Sequence, residues 1–282
     1  MCCRFHMEEE DPATEEAVDE AQDRLDRLGI HEQVKAGDVF PGQWAPVLSR
    51  SAAGAVRFFP MRWGYTGKKF LINARSETAD KLPTFAESFL NRRCLIPFSW
   101  YYEWGETEEG KVPFAIRPEG EGRFFLAGLY RFEPGEKLPR FTVLTRDAAP
   151  QIAFVHPRMP VILPEKLRGD WLRAGADVHA LFTLAEKLSL SAVQYGAIQE
   201  AVGRVRRMEV LFDRVSDALR NRPGCLAQDE EIRRAMETLT EYLDSGTWQS
   251  DYELDEKGRL PRDLKRGVLS QDGLYDLISS VQ

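Results

Sequence analysis

The second residue of the chain is a cysteine, Cys2, which directly follows Met1. If Met1 is removed, Cys2 carries a free α-amine and a thiol on adjacent carbons, whose ordinary pKa values are about 7.7 to 8.0 and about 8.5. The amine can condense with an aldehyde to an imine, and the thiol can then close a five-membered thiazolidine ring. A cysteine in this position also arises by chance, so the rest of the sequence must decide whether the chemistry is used.

Four polar residues stand out in segments that otherwise predict strands. In LINARSET, Asn73 and Arg75 share one face because side chains alternate, and together they can hold a phosphate or a carboxylate. In SWYYEW, Glu103 shares a face with Tyr101 and is the one carboxylate among aromatic residues, so we expect it to be desolvated and suited to acid–base work. In VHPRMPVIL, His156 is a side chain suited to proton transfer at neutral pH.

Each of these residues has a structural alternative. Asn73 could cap a turn, and Arg75 could pair with Glu77 on the surface. Glu103 could lie on a solvated edge, and His156 could be a hydrogen-bonded structural residue. The four residues together therefore indicate a catalytic or binding site more strongly than any one of them does.

Metal binding and serine hydrolysis are poorly supported. Cys2, Cys3 and His6 offer zinc ligands, but a structural zinc site needs four ligands at recurring spacings. The four cysteines form no Cys-x-x-Cys pair and no disulfide framework. The chain also lacks a G-x-S-x-G motif. We predict no metal and no cofactor.

The composition is typical of a globular protein: 282 residues, of which 43% are hydrophobic and 29% charged. No apolar run approaches the roughly 18 to 20 residues that a membrane span needs. The first residues have neither a basic nor an apolar targeting region, which also argues against a lipidated Cys2. We expect a cytoplasmic protein with no membrane partner.

The charge is distributed unevenly. The net charge of −7 argues against a general nucleic-acid binder. However, residues 8 to 32 contain eleven acidic and two basic residues, for a local charge of −9, whereas residues 39 to 102 contain nine basic and three acidic ones, for +6. A basic patch is therefore compatible with the acidic total.

The apolar pattern predicts an α+β fold with two domains. Asp11 and Pro12 indicate the start of an amphipathic helix that Gly29 ends. Closely spaced apolar runs from about Val39 to Leu163 predict an antiparallel, partly barrel-like sheet with flanking helices. The later segments predict a small helical domain. We place the domains at residues 1–172 and 204–282, with a linker or connecting helices over 173–203.

The first 172 residues contain a series of motifs in a fixed order: MC-RF, FPGQWAPV, MRWGY, INARSET, RRCLIPFSWYYEW, FFLAGLY, FTVLTRDA and HPRMPVIL. In these motifs the chain resembles the SOS-response-associated peptidase (SRAP) family of abasic-site processing proteins. The order and number of the motifs make the resemblance specific.

The resemblance implies that Cys2, after loss of Met1, forms a thiazolidine with the aldehyde of an abasic site in single-stranded DNA. It implies that Asn73 and Arg75 position the amine and the adjoining phosphate, and that Glu103 and His156 handle protons. It also implies a base-stacking role for the aromatic ring of the MRWG motif. The implied DNA contacts are Arg4, Pro41, Trp63, Arg75 and Arg158.

The sequence departs from the family pattern at three positions. Cys3 stands where glycine is usual, Asp38 where an amide is expected, and Trp100 where the motif has glycine. The segment after about Gly203 is similar to a small bacterial helical domain of unknown function.

Three functions remain open. The favoured one is a monomeric abasic-site crosslinking enzyme of the DNA damage (SOS) response, with possible autoproteolytic removal of Met1 and a lyase-like activity. The helical domain would then contact a replication or repair protein. The second is a cysteine-type peptidase in which Cys2 attacks a peptide carbonyl, and the third is a non-catalytic binding module.

Overall fold

The computed structural model describes residues 2–51, 53–108, 110–120, 122–221 and 229–280. It divides into two compact units, Met1–Gln194 and Tyr195–Gln282. The predicted α+β class is confirmed, since the first unit is rich in strands and the second is helical. The stretch 173–203, predicted to connect two domains, contains the helix Val178–Ala185, the strand Leu190–Gln194 and the start of the helix Tyr195–Asn221.

The apolar runs that predicted strands form thirteen strands among the described residues. Their bounds are β1 Phe5–Met7, β2 Gly37–Val39, β3 Trp44–Arg50, β4 Val56–Trp63, β5 Asn73–Arg75, β6 Arg93–Pro97, β7 Trp100–Thr107, β8 Gly110–Pro118, β9 Phe124–Arg131, β10 Arg140–Asp147, β11 Arg158–Pro160, β12 Ile162–Pro164 and β13 Leu190–Gln194.

Five of these strands close into a ring. The order β10-β4-β3-β6-β9 returns to β10, because β9 and β10 pair over Arg140 to Val143. The ring confirms the predicted barrel-like sheet, and most of its pairings are antiparallel, although β4 and β5 both run parallel to β10. Beyond the ring, strand β11 pairs with β10 at Thr145 to Asp147. The C-terminal half of β10 therefore lies between β5 and β11.

A second sheet has the order β13-β8-β7-β1-β2. Its short strand β1 lies between β2 and β7, with Phe5 opposite both Val39 and Tyr101. One apolar core joins this sheet to the ring, since Cys2 and Phe5 belong to the same buried cluster as Met61 of the ring. Residue 2 is thus placed in the core beside both sheets.

The described residues of the first unit form four α-helices: α1 Pro12–Arg27, α2 Ala86–Asn91, α3 Arg168–Trp171 and α4 Val178–Ala185. Helix α1 begins where predicted, because the Asp11 side chain caps it and Pro12 occupies its first turn. Gly29 follows its end with φ of 67°, a conformation that glycine adopts at little cost. The helix buries Ala17, Ala21 and Leu25.

The second unit consists of helices α5 Tyr195–Asn221, α6 Glu230–Asp244, α7 Thr247–Glu256 and α8 Gln271–Ser279. Asp251 of α7 is fully buried and accepts hydrogen bonds from Arg204 of α5 and Tyr242 of α6. This polar contact ties three of the helices together. Across the described part of the chain, no helix is both long and apolar enough to span a membrane.

Arg93 links two helices to the ring. It is buried, and its guanidinium donates to the carbonyl oxygens of Phe89 and Leu90 at the end of α2 and of Trp171 and Arg173 near the end of α3. The carbonyls of Phe89, Leu90 and Trp171 lie in the last turns of α2 and α3, so the side chain satisfies groups that helix ends leave open. The carbonyl of Arg173 also accepts from the backbone N–H of Ala176. Burial lowers the pKa of Arg93.

We expect Arg93→Met to destabilise the first unit by about 3 kcal/mol, because it removes four charge-assisted hydrogen bonds and leaves buried carbonyls unpaired. Urea unfolding measures the loss. The matched control is Arg92→Met, since Arg92 forms only a partly exposed ion pair with Glu87 and should change stability by about 0.5 kcal/mol or less. Equal losses in the two variants would contradict the assignment.

Candidate active site around Cys2

The side chain of Cys2 is fully buried in the core between the two sheets. Its Sγ lies 3.8 Å from the carbonyl oxygen of Arg4, to which the thiol donates. Burial raises the pKa of the Cys2 thiol, and the negative charge of Glu103 raises it further. The thiol is therefore held protonated, and using it as a nucleophile requires a base that takes its proton.

Asn73 contacts residue 2 directly. Strand β5 pairs with β10 so that Asn73 lies opposite Val143, and its Nδ2 donates to the carbonyl oxygen of Cys2 over 2.8 Å. The other amide atom, Oδ1, is buried and has no hydrogen-bond partner among the residues that the structure describes. An acceptor is thus placed in the same side chain that fixes the backbone of residue 2.

Glu103 faces the same part of the core. Tyr101 lies opposite Phe5 in the β1–β7 pair, and Glu103, two residues further along β7, lies on the same face. Its side chain is buried, with 4% of the residue exposed. Its negative charge raises the pKa of both Cys2 and Cys3, which indicates that the carboxylate is close to both thiols.

The predicted residues Arg75, His156 and Arg158 lie at the C-terminal end of β10. Arg75 is opposite Thr145 on one side, and Arg158 is opposite Asp147 on the other. Arg75 is exposed. Nδ1 of His156 lies 3.0 Å from both the backbone nitrogen and the backbone carbonyl oxygen of Arg158.

The charge of Arg158 is already paired. Its guanidinium donates to both carboxylate oxygens of Glu77, at 2.7 and 2.9 Å, and to Asp147 at 2.6 Å. The hydrogen bond from Arg158 lowers the pKa of Glu77. In this arrangement Arg158 ties together the loop after β5 and strand β10, while the exposed Arg75 beside it is the cation that faces solvent.

Asp38 organises a cluster that the sequence did not reveal. The Arg4 guanidinium and the His6 ring bind the two oxygens of Asp38, the latter at 2.9 Å. His6 also stacks on Trp100, with ring centroids 3.9 Å apart. We call Arg4, His6 and Asp38 the Asp38 cluster. It gives a structural reason for two departures from the family pattern, since Asp38 and Trp100 both hold strand β1.

The Asp38 cluster makes a prediction about stability and pH. Although burial alone would raise the pKa of Asp38, hydrogen bonds from His6 and Arg4 hold it at about 2. A lowered pKa stabilises the fold above the unfolded value of 3.8, and this stability is lost as the pH falls through about 2. We expect Asp38→Asn to cost on the order of 1–2 kcal/mol at pH 7, since the carboxylate is partly exposed.

Urea unfolding between pH 7 and pH 2.5 measures this effect. The gap in unfolding free energy between wild type and Asp38→Asn should narrow as the pH falls below about 4, because the unfolded chain then takes up a proton on Asp38 while the folded protein keeps this carboxylate ionised down to about pH 2. Asp19→Asn, on the exposed face of α1, is the control and should be close to neutral. A gap that stays constant over the whole range would contradict the role of the carboxylate.

Two predicted DNA contacts occupy different settings. Trp63 is fully buried, donates from Nε1 to the carbonyl oxygen of Ile72 over 3.0 Å, and packs between Phe5 and Phe141. Its ring thus presents no exposed face to a base, and the predicted stacking does not fit this geometry. Pro41 is partly exposed in the turn between β2 and β3.

Phe40 is an exposed aromatic residue that was not among the DNA contacts predicted from the sequence. It is 43% exposed, and the Arg4 guanidinium lies 5.4 Å from its ring centroid. Its position directly before Pro41 was the available signal. Elsewhere, no group of three or more His, Cys, Asp or Glu residues in the described ranges could hold a metal ion.

The fold and this site define an α+β protein whose residue 2 cysteine is buried between two sheets beside an asparagine and a glutamate. Residues 1–205 match the family described as SOS response associated peptidase (SRAP), and the chain belongs to this family. Residues 205–282 match a domain of unknown function (DUF4298). The family resemblance and the resemblance of the helical segment are therefore both confirmed.

Several relatives carry the name abasic site processing protein. YoqW of Bacillus subtilis (strain 168) is 34% identical over 190 residues, which cover 61% of this chain and 80% of that protein. YedK of Escherichia coli (strain K12) is 29% identical over 155 residues, covering 52% of this chain and 70% of that protein.

Solved structures share the fold. A protein from Bordetella bronchiseptica superposes with a TM-score of 0.51 at 26% identity, covering 68% of this chain and all of that chain. A protein from Bacteroides thetaiotaomicron superposes with a TM-score of 0.50 at 21% identity, covering 69% of this chain and 93% of that chain.

Proposed function

We propose that this protein binds single-stranded DNA containing an abasic site and, after loss of Met1, joins the DNA covalently through Cys2. The proposal is supported by the family and by relatives named as abasic site processing proteins. The observation that carries it is the setting of residue 2. Its carbonyl oxygen accepts a hydrogen bond from Asn73, and the negative charge of Glu103 raises the pKa of its thiol.

The chemistry balances without a cofactor. The α-amine of Cys2 adds to the aldehyde carbon, and the Glu103 carboxylate passes the two amine protons in turn to the former aldehyde oxygen, which leaves as water and gives the imine. The thiol sulfur then bonds to the imine carbon, and Glu103 passes the thiol proton to the imine nitrogen, so that Glu103 ends as the carboxylate it began as. The product is a thiazolidine plus one water. Because burial keeps the thiol protonated, a base at this point is required.

Asn73 acts as a positioning residue. Its Nδ2 fixes the carbonyl of Cys2, and its buried Oδ1 would accept a hydrogen bond from the α-amine. Such a bond would aim the nitrogen lone pair at the aldehyde. Positioning of this kind contributes to rate because the reacting atoms no longer need to find each other.

The DNA would lie along the end of strand β10. The exposed Arg75 would bind the phosphate beside the lesion, and His156 would transfer the proton that opens the sugar ring to its aldehyde. Phe40, exposed before Pro41, would stack on a neighbouring base, a contact worth about 1–3 kcal/mol. Since an abasic site has no base edge, recognition would depend on backbone and stacking.

The helical unit would have a different partner. Residues 195 to 282 contain thirteen basic and seventeen acidic residues, for a net charge of −4. The first unit is also acidic overall, at −3, but its residues 39 to 102 carry +6, and a local excess of basic residues is what phosphate binding needs. We assign DNA binding to the first unit and propose that the second contacts a replication or repair protein.

Intact mass spectrometry tests the crosslinking function. The purified protein should lack Met1, and incubation with abasic single-stranded DNA should add the mass of the strand minus one water. An undamaged strand is the control and should add nothing. Equal binding of both strands without an adduct would favour a non-catalytic binding module, and cleavage of an unrelated protein would favour a cysteine-type peptidase.

A further inference from the structure

Tyr101 is a buried residue to which neither the sequence nor the proposed chemistry assigns a task. Its residue surface is 0% exposed, and its phenolic hydroxyl has no hydrogen-bond partner among the residues that the structure describes. A buried hydroxyl that loses its bonds to water without gaining others is costly, so such a group calls for an explanation. A phenylalanine at this position would pack equally well and would bury no hydroxyl.

The surroundings of Tyr101 are those of the reacting cysteine. Tyr101 and Cys2 belong to one buried cluster, and Tyr101 lies opposite Phe5 on the face of β7 that also presents Glu103. Burial raises the pKa of the Tyr101 phenol, the charges of Cys2 and Glu103 raise it further, and Arg146 opposes them. The shared cluster and strand face place Tyr101 near Cys2 and Glu103, and the phenol stays protonated, which makes its hydroxyl a donor and not a base.

We propose that the Tyr101 hydroxyl donates a hydrogen bond to the oxygen of the aldehyde and, after amine addition, to the same oxygen as it leaves as water. The inference rests on the proposed function and adds a residue to it. Glu103 supplies the proton that the departing oxygen takes up, while Tyr101 keeps its own proton and stabilises the charge that develops on that oxygen. A donor in a buried site is effective because it needs no reorientation during the reaction.

Tyr65 offers a matched comparison. It is also a fully buried tyrosine, but it belongs to the other large core cluster, which does not contain Cys2. Tyr65→Phe and Tyr101→Phe therefore make the same chemical change in two buried settings. Only the second removes a donor beside the reacting thiol.

The first experiment measures single-turnover crosslinking of the full chain to abasic single-stranded DNA. We expect Tyr101→Phe to lower the rate of adduct formation about 10- to 100-fold, the loss typical of a hydrogen bond to a developing charge. Affinity for a strand containing tetrahydrofuran, which has no aldehyde, should change less than twofold. The melting temperature should be unchanged or raised by about 2–4 °C, because the variant no longer buries an unpaired hydroxyl. Tyr65→Phe should crosslink at the wild-type rate.

The second experiment separates the imine step from the thiol step. In Cys2→Ala, the α-amine remains and the imine can be trapped with cyanoborohydride. Adding Tyr101→Phe to this variant should reduce the trapping rate by the same 10- to 100-fold. If the double variant traps imine as fast as Cys2→Ala, or if Tyr101→Phe alone crosslinks at the wild-type rate, the inference is overturned. A wild type that forms no adduct would instead overturn the proposed function.

Discussion

Changing Cys2 to serine is expected to abolish the adduct that survives denaturation of the protein. Serine keeps the α-amine but replaces the thiol by a hydroxyl, which is a much weaker nucleophile at neutral pH. The imine can form but cannot close to a stable sulfur-containing ring, so it should hydrolyse during denaturation. Intact mass spectrometry after incubation with abasic single-stranded DNA measures the loss.

Cys94→Ser is the matched control for this prediction. Cys94 is also fully buried in the same core cluster, so the substitution introduces a similar polarity and volume change. The Cys94→Ser protein should still form the adduct. An adduct of wild-type yield in Cys2→Ser, with Met1 removed, would rule out the thiazolidine mechanism.

The second large effect is expected for Glu103→Gln, which should slow crosslinking about 100- to 1,000-fold. The amide has nearly the same shape as the carboxylate but cannot pass protons to the departing oxygen or take the proton of the thiol. Loss of the negative charge would itself lower the pKa of Cys2, but burial, the larger cause, remains. The thiol therefore stays protonated, and the variant should become faster as the pH rises.

Single-turnover rates from pH 6 to pH 9 check this prediction. Glu106→Gln, on an exposed position of the same strand, is the control and should react at the wild-type rate. Affinity for a tetrahydrofuran-containing strand should be unchanged in both variants. A Glu103→Gln rate within threefold of the wild type would show that another group moves the proton.

Local signals predicted most of the secondary structure correctly. Helix α1 was predictable because Asp11, Pro12 and Gly29 act within one turn of its ends. The strands were predictable because they are short apolar or alternating runs, and β7 is one that alternates. On that strand Tyr101 and Glu103 face the core side, while Trp100 contacts His6 on the other.

Trp63 shows where local pattern was insufficient. A motif resemblance suggested an exposed ring, but burial depends on which strand covers the residue, and Phe5 of β1 packs against it. The Asp38 cluster could not be predicted from the sequence either, because Asp38 and Arg4 are 34 positions apart and meet only when β1 pairs with β2. Ion pairs between distant residues leave no periodic signal in the chain.

The sequence alone determined which reactive groups this protein has: an aminothiol at residue 2 once Met1 is lost, one carboxylate among aromatic residues on β7, and an amide and a guanidinium on β5. It also determined the α+β class and the family. Only the tertiary structure decided that Asn73, 71 positions away, holds the carbonyl of Cys2, and that the hydroxyl of Tyr101 is buried beside the thiol. The reason is physical: chemistry is a property of side chains, whereas distance and desolvation are set by strand register and ring closure.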